Sequence, residues 1–216
     1  MKGLVTSLLA AGLLVLAGGC ATPPAKVVKQ TYSSFDLPAE HPGSEAMPAG
    51  SINFQGVPAD DVLKIYAELS KRTVLRGSLP DAKINLRTTT PLNRIEMLQM
   101  LDTVLAQNGI AMVLSGDQAV KAVSVSQVIT ANPPEIDLPW SLLPDASSPM
   151  SRTVQLKNLK AVEVVPMLAP FSTLPNSILV IQKQNLLIIR DYSSSVKSEL
   201  RLLEELEKNA APKRSA

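Results

Sequence analysis

Cysteine, histidine and tryptophan each occur once in 216 residues, and aromatic side chains make up 3% of the sequence. One thiol in an exported chain is a free group or the partner of another chain, not half of an internal cross-link. One histidine, His41, lies beside Pro42 in a proline-scattered stretch and reads as a solvated linker residue rather than a metal ligand. So few aromatics leave little material for stacking nucleic-acid bases. Charge of one sign is lacking too: the net charge is +2, with no basic patch of the kind nucleic acid or an anionic membrane selects. The hydrophobic content of 45% excludes a chain disordered throughout, and 17 prolines against 10 glycines point to stiff connectors between compact pieces.

The one thiol, Cys20, has a telling position. Lys2 precedes an uncharged run from Gly3 to Gly19, the charged and apolar parts of a secretory signal. The run is short for a permanent span, which needs roughly 20 apolar residues. Leu16-Ala17-Gly18-Gly19-Cys20 resembles the bacterial lipobox, in which small residues before the cysteine admit a dedicated peptidase. That resemblance implies a lipoprotein signal over 1–19 and acylation of Cys20. Several acyl chains pass the two-signal threshold for stable anchoring. Ala21, rather than an aspartate, resembles the pattern that sends such proteins to the outer membrane, facing the periplasm. Residues 20–50 then form a flexible tether.

From Ser51 the pattern changes. Ser51 to Gln55 alternates like a half-buried strand, and Pro58 opens a helix with Asp60 and Asp61 in its first turn and Lys71 and Arg72 in its last. Thr73–Arg76 and Lys83–Arg87 are short β-type runs. Asn93 with Glu96 makes a capping box for a second helix carrying Met97, Leu98, Leu101, Val104 and Leu105, which stops at Asn108-Gly109. Ile110–Leu114 and Ala119–Val125 make a closing hairpin. The order over 51–126 is β-α-β-β-α-β-β.

Residues 127–150 form a proline-rich linker in which Ile136, Leu138, Trp140 and Leu142 alternate. Either it packs along a neighbouring domain or it presents an exposed docking motif. Residues 151–209 read as β-α-β-β-α, with inner strands apolar on both faces and a final helix carrying Val196, Leu200, Leu203 and Leu206. Residues 210–216 are a small polar tail.

The stretches "INFQGVPADDVLKIYAELSKRTVL", "KINLRTTTPLNRIEMLQMLDTVLAQNGIAMVLSG", "RTVQLKNLKAVEVVPMLAP" and "SILVIQKQNLLIIRDYSSSVKSELRLLEELE" together resemble the periplasmic N-domains of bacterial secretins, the outer-membrane channels of type II secretion and type IV pilus systems. The resemblance implies an α+β protein of two small domains. The first is similar to the short N-terminal domain shared by secretins and TonB-dependent receptors, and the second to a KH-like βαββα domain. It further implies binding to secretin or inner-membrane platform proteins, with the partner site on Ile52, Asn53, Phe54, Gln55, Lys83, Asn85 and Arg87. The function implied is that of an accessory or split component of such a complex. The alternative is a periplasmic adaptor or sensor related to receptor signalling domains.

Two departures stand out. No channel-forming part follows the second region before Ala216, so contact and lateral packing are expected without conduction. Pro166 falls inside the helix of the second region, where it should kink or shorten it.

No catalytic, cofactor or metal-binding residues are expected. Glu204, Glu205 and Glu207 read as the solvated face of the last helix, and Asp60 and Asp61 as complements of a helix dipole. The KH-like region lacks glycine altogether, and with it the GXXG loop that clamps nucleic acid. Neither nucleic acid nor a small-molecule substrate is expected as a partner.

Overall fold

The computed structural model describes residues 46–211. Cys20, His41, the 1–19 segment and the tether up to residue 45 lie outside the described residues, as do residues 212–216. The first region runs β1 (Asn53–Pro58), α1 (Ala59–Ser70), β2 (Thr73–Arg76), β3 (Lys83–Arg87), α2 (Arg94–Gln107), β4 (Ile110–Ser115) and β5 (Ala119–Ser124).

α1 begins where the fixed φ of Pro58, −56°, sets the chain, and Asp60 and Asp61 fall in its first turn. Its expected cationic last turn is displaced, because the helix closes at Ser70 and Lys71 takes the left-handed conformation with φ 56°. α2 starts as its capping box demands: Glu96 N–H donates to Asn93 Oδ1 at 2.9 Å while Asn93 N–H donates to Glu96 Oε2 at 2.8 Å. The strand expected from Ser51 begins at Asn53, since Ser51 turns back onto the Pro48 carbonyl.

β1 and β3 form an antiparallel two-stranded ribbon, and β2, β5 and β4 a second sheet in which β2 runs parallel to β5. Between them lies a core of Val62, Tyr66, Ile84, Leu101, Leu105 and Ile110, all 3% exposed or less. The apolar faces of both helices supply most of it.

The second region contains β6 (Pro149–Gln155), α3 (Ala161–Leu168), β7 (Ile178–Ile181), β8 (Leu186–Tyr192) and α4 (Ser193–Ala210), with antiparallel strands in the order β6-β8-β7. This is the expected βαββα order, and the protein is α+β. Pro166 leaves α3 eight residues long, and the chain passes into a 3-10 turn at Ala169–Phe171. α3 has no side-chain cap of its own. Asn185, at φ 52°, supplies it from the β7–β8 turn by accepting from Ala161 N–H at 2.8 Å and donating to the carbonyls of Leu156 and Leu159. The inner strands are not covered on both faces as their composition suggested. Leu187 and Ile189 are buried, but Leu179 and Ile181 on the opposite face are 43% and 38% exposed.

The 127–150 segment is laid against the second region. Ile136 and Leu143 enter its core, Glu135 bridges Ser151 as a short parallel neighbour of β6, and Trp140 Nε1 donates to Glu204 on α4. The two regions meet through Ala111 and Val113 of β4, Val128, Leu174 and Tyr192, all buried.

Candidate docking surface

The β1–β3 ribbon gathers every residue of the sequence-predicted partner site except Ile52, which immediately precedes β1. Strand alternation then splits them. Ile52 and Phe54 are buried in the first core, whereas Asn53, Gln55, Lys83, Asn85 and Arg87 are exposed on the other face. Asn53 sits opposite Arg87 and Phe54 opposite Leu86. The register then shifts before Val57 pairs with Ile84, because Gly56 forms a bulge at φ 64°. Asn85 Oδ1 holds that bulge by accepting from Gly56 N–H at 2.7 Å.

Backbone direction matters as much as side-chain direction. Thr88 N–H donates to the Ile52 carbonyl at 3.1 Å, and Ile52 N–H donates to Thr88 Oγ1 at 3.3 Å. Ile52 is therefore spent on its own ribbon. Alternation turns the N–H and C=O of Asn53 to the opposite edge, where β1 has no strand neighbour among the described residues. The ribbon thus presents an open backbone edge bordered by amide side chains, with Lys83 and Arg87 adding positive charge.

The titratable groups that depart from ordinary behaviour lie elsewhere, and their contacts are structural. Burial pushes Asp102 on α2 up to about 7, against a hydrogen bond from Ser148. Burial, and then the Asp102 charge, hold the neighbouring Tyr66 phenol well above its ordinary value. Tyr192 is pushed up to about 12 by burial and by the charges of Asp191 and Asp102. Burial raises Asp191 although its carboxylate accepts from the N–H groups of Thr173 at 2.8 Å, Leu174 at 3.1 Å and Tyr192 at 2.6 Å. Glu199 is pushed up to about 7 by burial while accepting from Ser172 Oγ at 2.7 Å. Asp191 and Glu199 fasten the loop between α3 and β7. Among the described residues no group of three or more His, Cys, Asp or Glu is placed to hold a metal ion. No described helix is long and apolar enough to cross a membrane.

Sequence reasoning passed over several of these residues. Asp102 carried a signal: it lies four residues after Leu98 and three before Leu105, on the buried stripe of α2. Glu207 is not simply part of a solvated face. Its carboxylate accepts from the N–H groups of Lys157, Asn158 and Leu159 at 3.0–3.3 Å, closing the turn before α3. Periodicity could not show that, because the partner groups are backbone nearly fifty residues away.

No family model matches the chain, and neither does any curated protein. Solved structures do. A chain of the Klebsiella pneumoniae type II secretion outer-membrane complex, comprising PulD, PulS and the PulC HR domain, aligns over 73% of this chain with TM-score 0.60 and 19% identity. The alignment covers 26% of that chain. The N-terminal domain of the secretin XcpQ from Pseudomonas aeruginosa aligns over 72% of this chain and 64% of its own length, at 17% identity and TM-score 0.31. A chain of the GspC–GspD complex from enterotoxigenic Escherichia coli aligns over 73% of this chain and 97% of its own, at 17% identity and TM-score 0.31. This chain therefore spans less than two thirds of the XcpQ and Klebsiella chains. The fold is that of the secretin N-terminal domains.

Proposed function

We propose that the protein is a lipid-anchored envelope component that binds other proteins, an accessory or split part of a type II secretion or type IV pilus secretin complex. The carrying observation is the ordered pair of regions, which share the fold of part of one chain of the Klebsiella outer-membrane complex at TM-score 0.60. Cys20 provides the lipid anchor in the outer membrane, and the tether lets the folded part stand off into the periplasm. That complex also contains PulS and the PulC HR domain; the partner proposed for this chain is a secretin or an inner-membrane platform protein. The exposed face and open edge of the β1–β3 ribbon receive it, strand addition giving affinity and Asn53, Gln55, Lys83, Asn85 and Arg87 giving specificity.

The test is capture of the full chain from native envelopes with its anchor intact, followed by mass spectrometry. Secretin or platform proteins should be recovered from wild type. Cys20→Ser should leave the protein unprocessed or released from the membrane. Recovery of neither protein class, or an unmodified thiol on the mature chain, would overturn the reading.

A further inference from the structure

Beside the joint of the two regions runs a groove of about 460 Å³. One wall is the β4–β5 hairpin, with Leu114, Ser115, Gly116 and Lys121; the other is the outward face of β6 and β8, with Ser151, Thr153, Ile188 and Arg190. Residues 131–135 border it. Its place follows from strand alternation. Lys121 pairs with Val113 across β4–β5, so its side chain leaves the sheet on the face that Val113 turns toward the second region. Arg190 points the opposite way from its neighbours Ile189 and Asp191, which are buried on the helix side of β8.

Two cations thus converge from different regions, and neither forms an ion pair with a carboxylate of the described residues. Arg190 makes a long contact from one guanidinium nitrogen to the Ile129 carbonyl at 3.5 Å, and its Nε is buried with no hydrogen-bond partner. A buried donor is costly to leave unmade. Glu135, the carboxylate that borders the groove, is held by one oxygen, Oε1, which accepts from Thr153 N–H at 2.6 Å, and it forms no ion pair with either cation. Asp191, next along the chain, is committed to Thr173 and Leu174 on the other side of the sheet. Asp117 is exposed at the hairpin tip and forms no ion pair with Lys121.

We infer that this groove binds an acidic peptide segment of a partner protein, its carboxylates paired with Lys121 and Arg190 and its apolar atoms resting on Ile188. Charge complementarity selects the occupant. A guanidinium and an ammonium held apart on two walls suit successive carboxylates on an extended chain. The volume lies within the usual range for clefts that bind small ligands, roughly 300–1,000 Å³. Because the walls belong to different regions, an occupant also ties the regions together. This site is separate from the β1–β3 ribbon and does not depend on it.

The probe is fluorescein-labelled hexaglutamate, with hexaglutamine and hexalysine as controls, measured by fluorescence anisotropy on the purified full chain. Hexaglutamate should bind, the controls should not, and binding should weaken as salt rises. Lys121→Gln, on the groove margin, should keep the fold and weaken binding about tenfold. Arg190→Gln should weaken it at least as much, and Arg190→Lys should restore part of the loss. The Lys83→Gln and Arg87→Gln ribbon variants should bind the peptide like wild type, which separates this site from the docking ribbon. Equal binding of hexaglutamine, an unchanged affinity in folded Lys121→Gln, or loss in the ribbon variants alone would overturn the inference. Displacement of the peptide by an equal concentration of inorganic phosphate would also overturn it, by assigning the groove to small anions.

Discussion

The Ser148 hydroxyl donates to the buried Asp102 carboxylate, joining the segment that leads into β6 to the second helix of the first region. Ser147 N–H makes a parallel contact to Thr103 Oγ1 at 3.3 Å. The joint therefore rests on a polar pair beside an apolar patch, and the acid in that pair titrates near neutrality.

Stability should fall as pH rises from about 4 to about 7. Asp102 moves from 3.8 to about 7 and Glu199 from 4.5 to about 7. Below the lower values both folded and unfolded chains hold the protons. Between lower and upper values the unfolded chain has released them and the folded chain has not, so unfolding becomes easier with rising pH and the slope vanishes above about 7. Asp102→Asn keeps an acceptor for Ser148 but cannot ionise. Denaturant titrations should show a shallower pH slope for this variant, and at about pH 8 a stability about 1–3 kcal/mol above wild type.

Asn53→Pro should remain folded, with stability within about 1 kcal/mol of wild type, because proline at an edge position removes no ladder bond. It should weaken platform-protein capture about tenfold or more. Circular dichroism checks the first outcome and surface-immobilised binding the second. A folded variant with unchanged affinity would remove this edge from the docking site.

Gly56→Ala should cost about 1–2 kcal/mol through backbone strain alone. A methyl group there meets nothing within 4 Å, while the residue stands at φ 64°. Asn85→Ala leaves the same bulge without its acceptor and should cost about 1 kcal/mol. The double variant should lose less than the sum, since both changes act on one turn. Urea melts of the three variants provide the comparison.

Glu207→Ala should destabilise the second region by about 1–2 kcal/mol, by releasing the backbone donors of Lys157, Asn158 and Leu159. Glu207→Gln should recover part of that loss. Hydrogen exchange at these three amides reports the effect directly and should speed up in the alanine variant.

Local signals carried most of the fold. The capping box at Asn93 and Glu96, the left-handed stop at Gly109 and the alternation of Ile52, Asn53 and Phe54 all act within a few residues, and each stands where its chemistry demands. What escaped was non-local. Asn185 caps a helix that begins 24 residues earlier, and Glu207 closes a turn some fifty residues before it. The faces of Leu179 and Ile181 looked like those of a covered strand because composition records hydrophobicity and not the position of neighbours. The exposed face of the β1–β3 ribbon, the proposed docking surface, was legible through alternation. Its backbone edge was not, because it depends on Thr88, 36 residues along the chain, claiming both polar groups of Ile52.

Trp140 is the sequence's single tryptophan, and it is pinned to Glu204 on α4. The protein therefore carries an intrinsic optical reporter at one chosen place. Indole emission depends on hydration and on nearby charge, and no second indole dilutes the signal. Detachment of the segment between the two regions can be followed in unlabelled protein, through the wavelength of the emitted light, while the helices and sheets stay intact. Loosening of the connection and melting of the parts thus become separately observable events in one unlabelled chain.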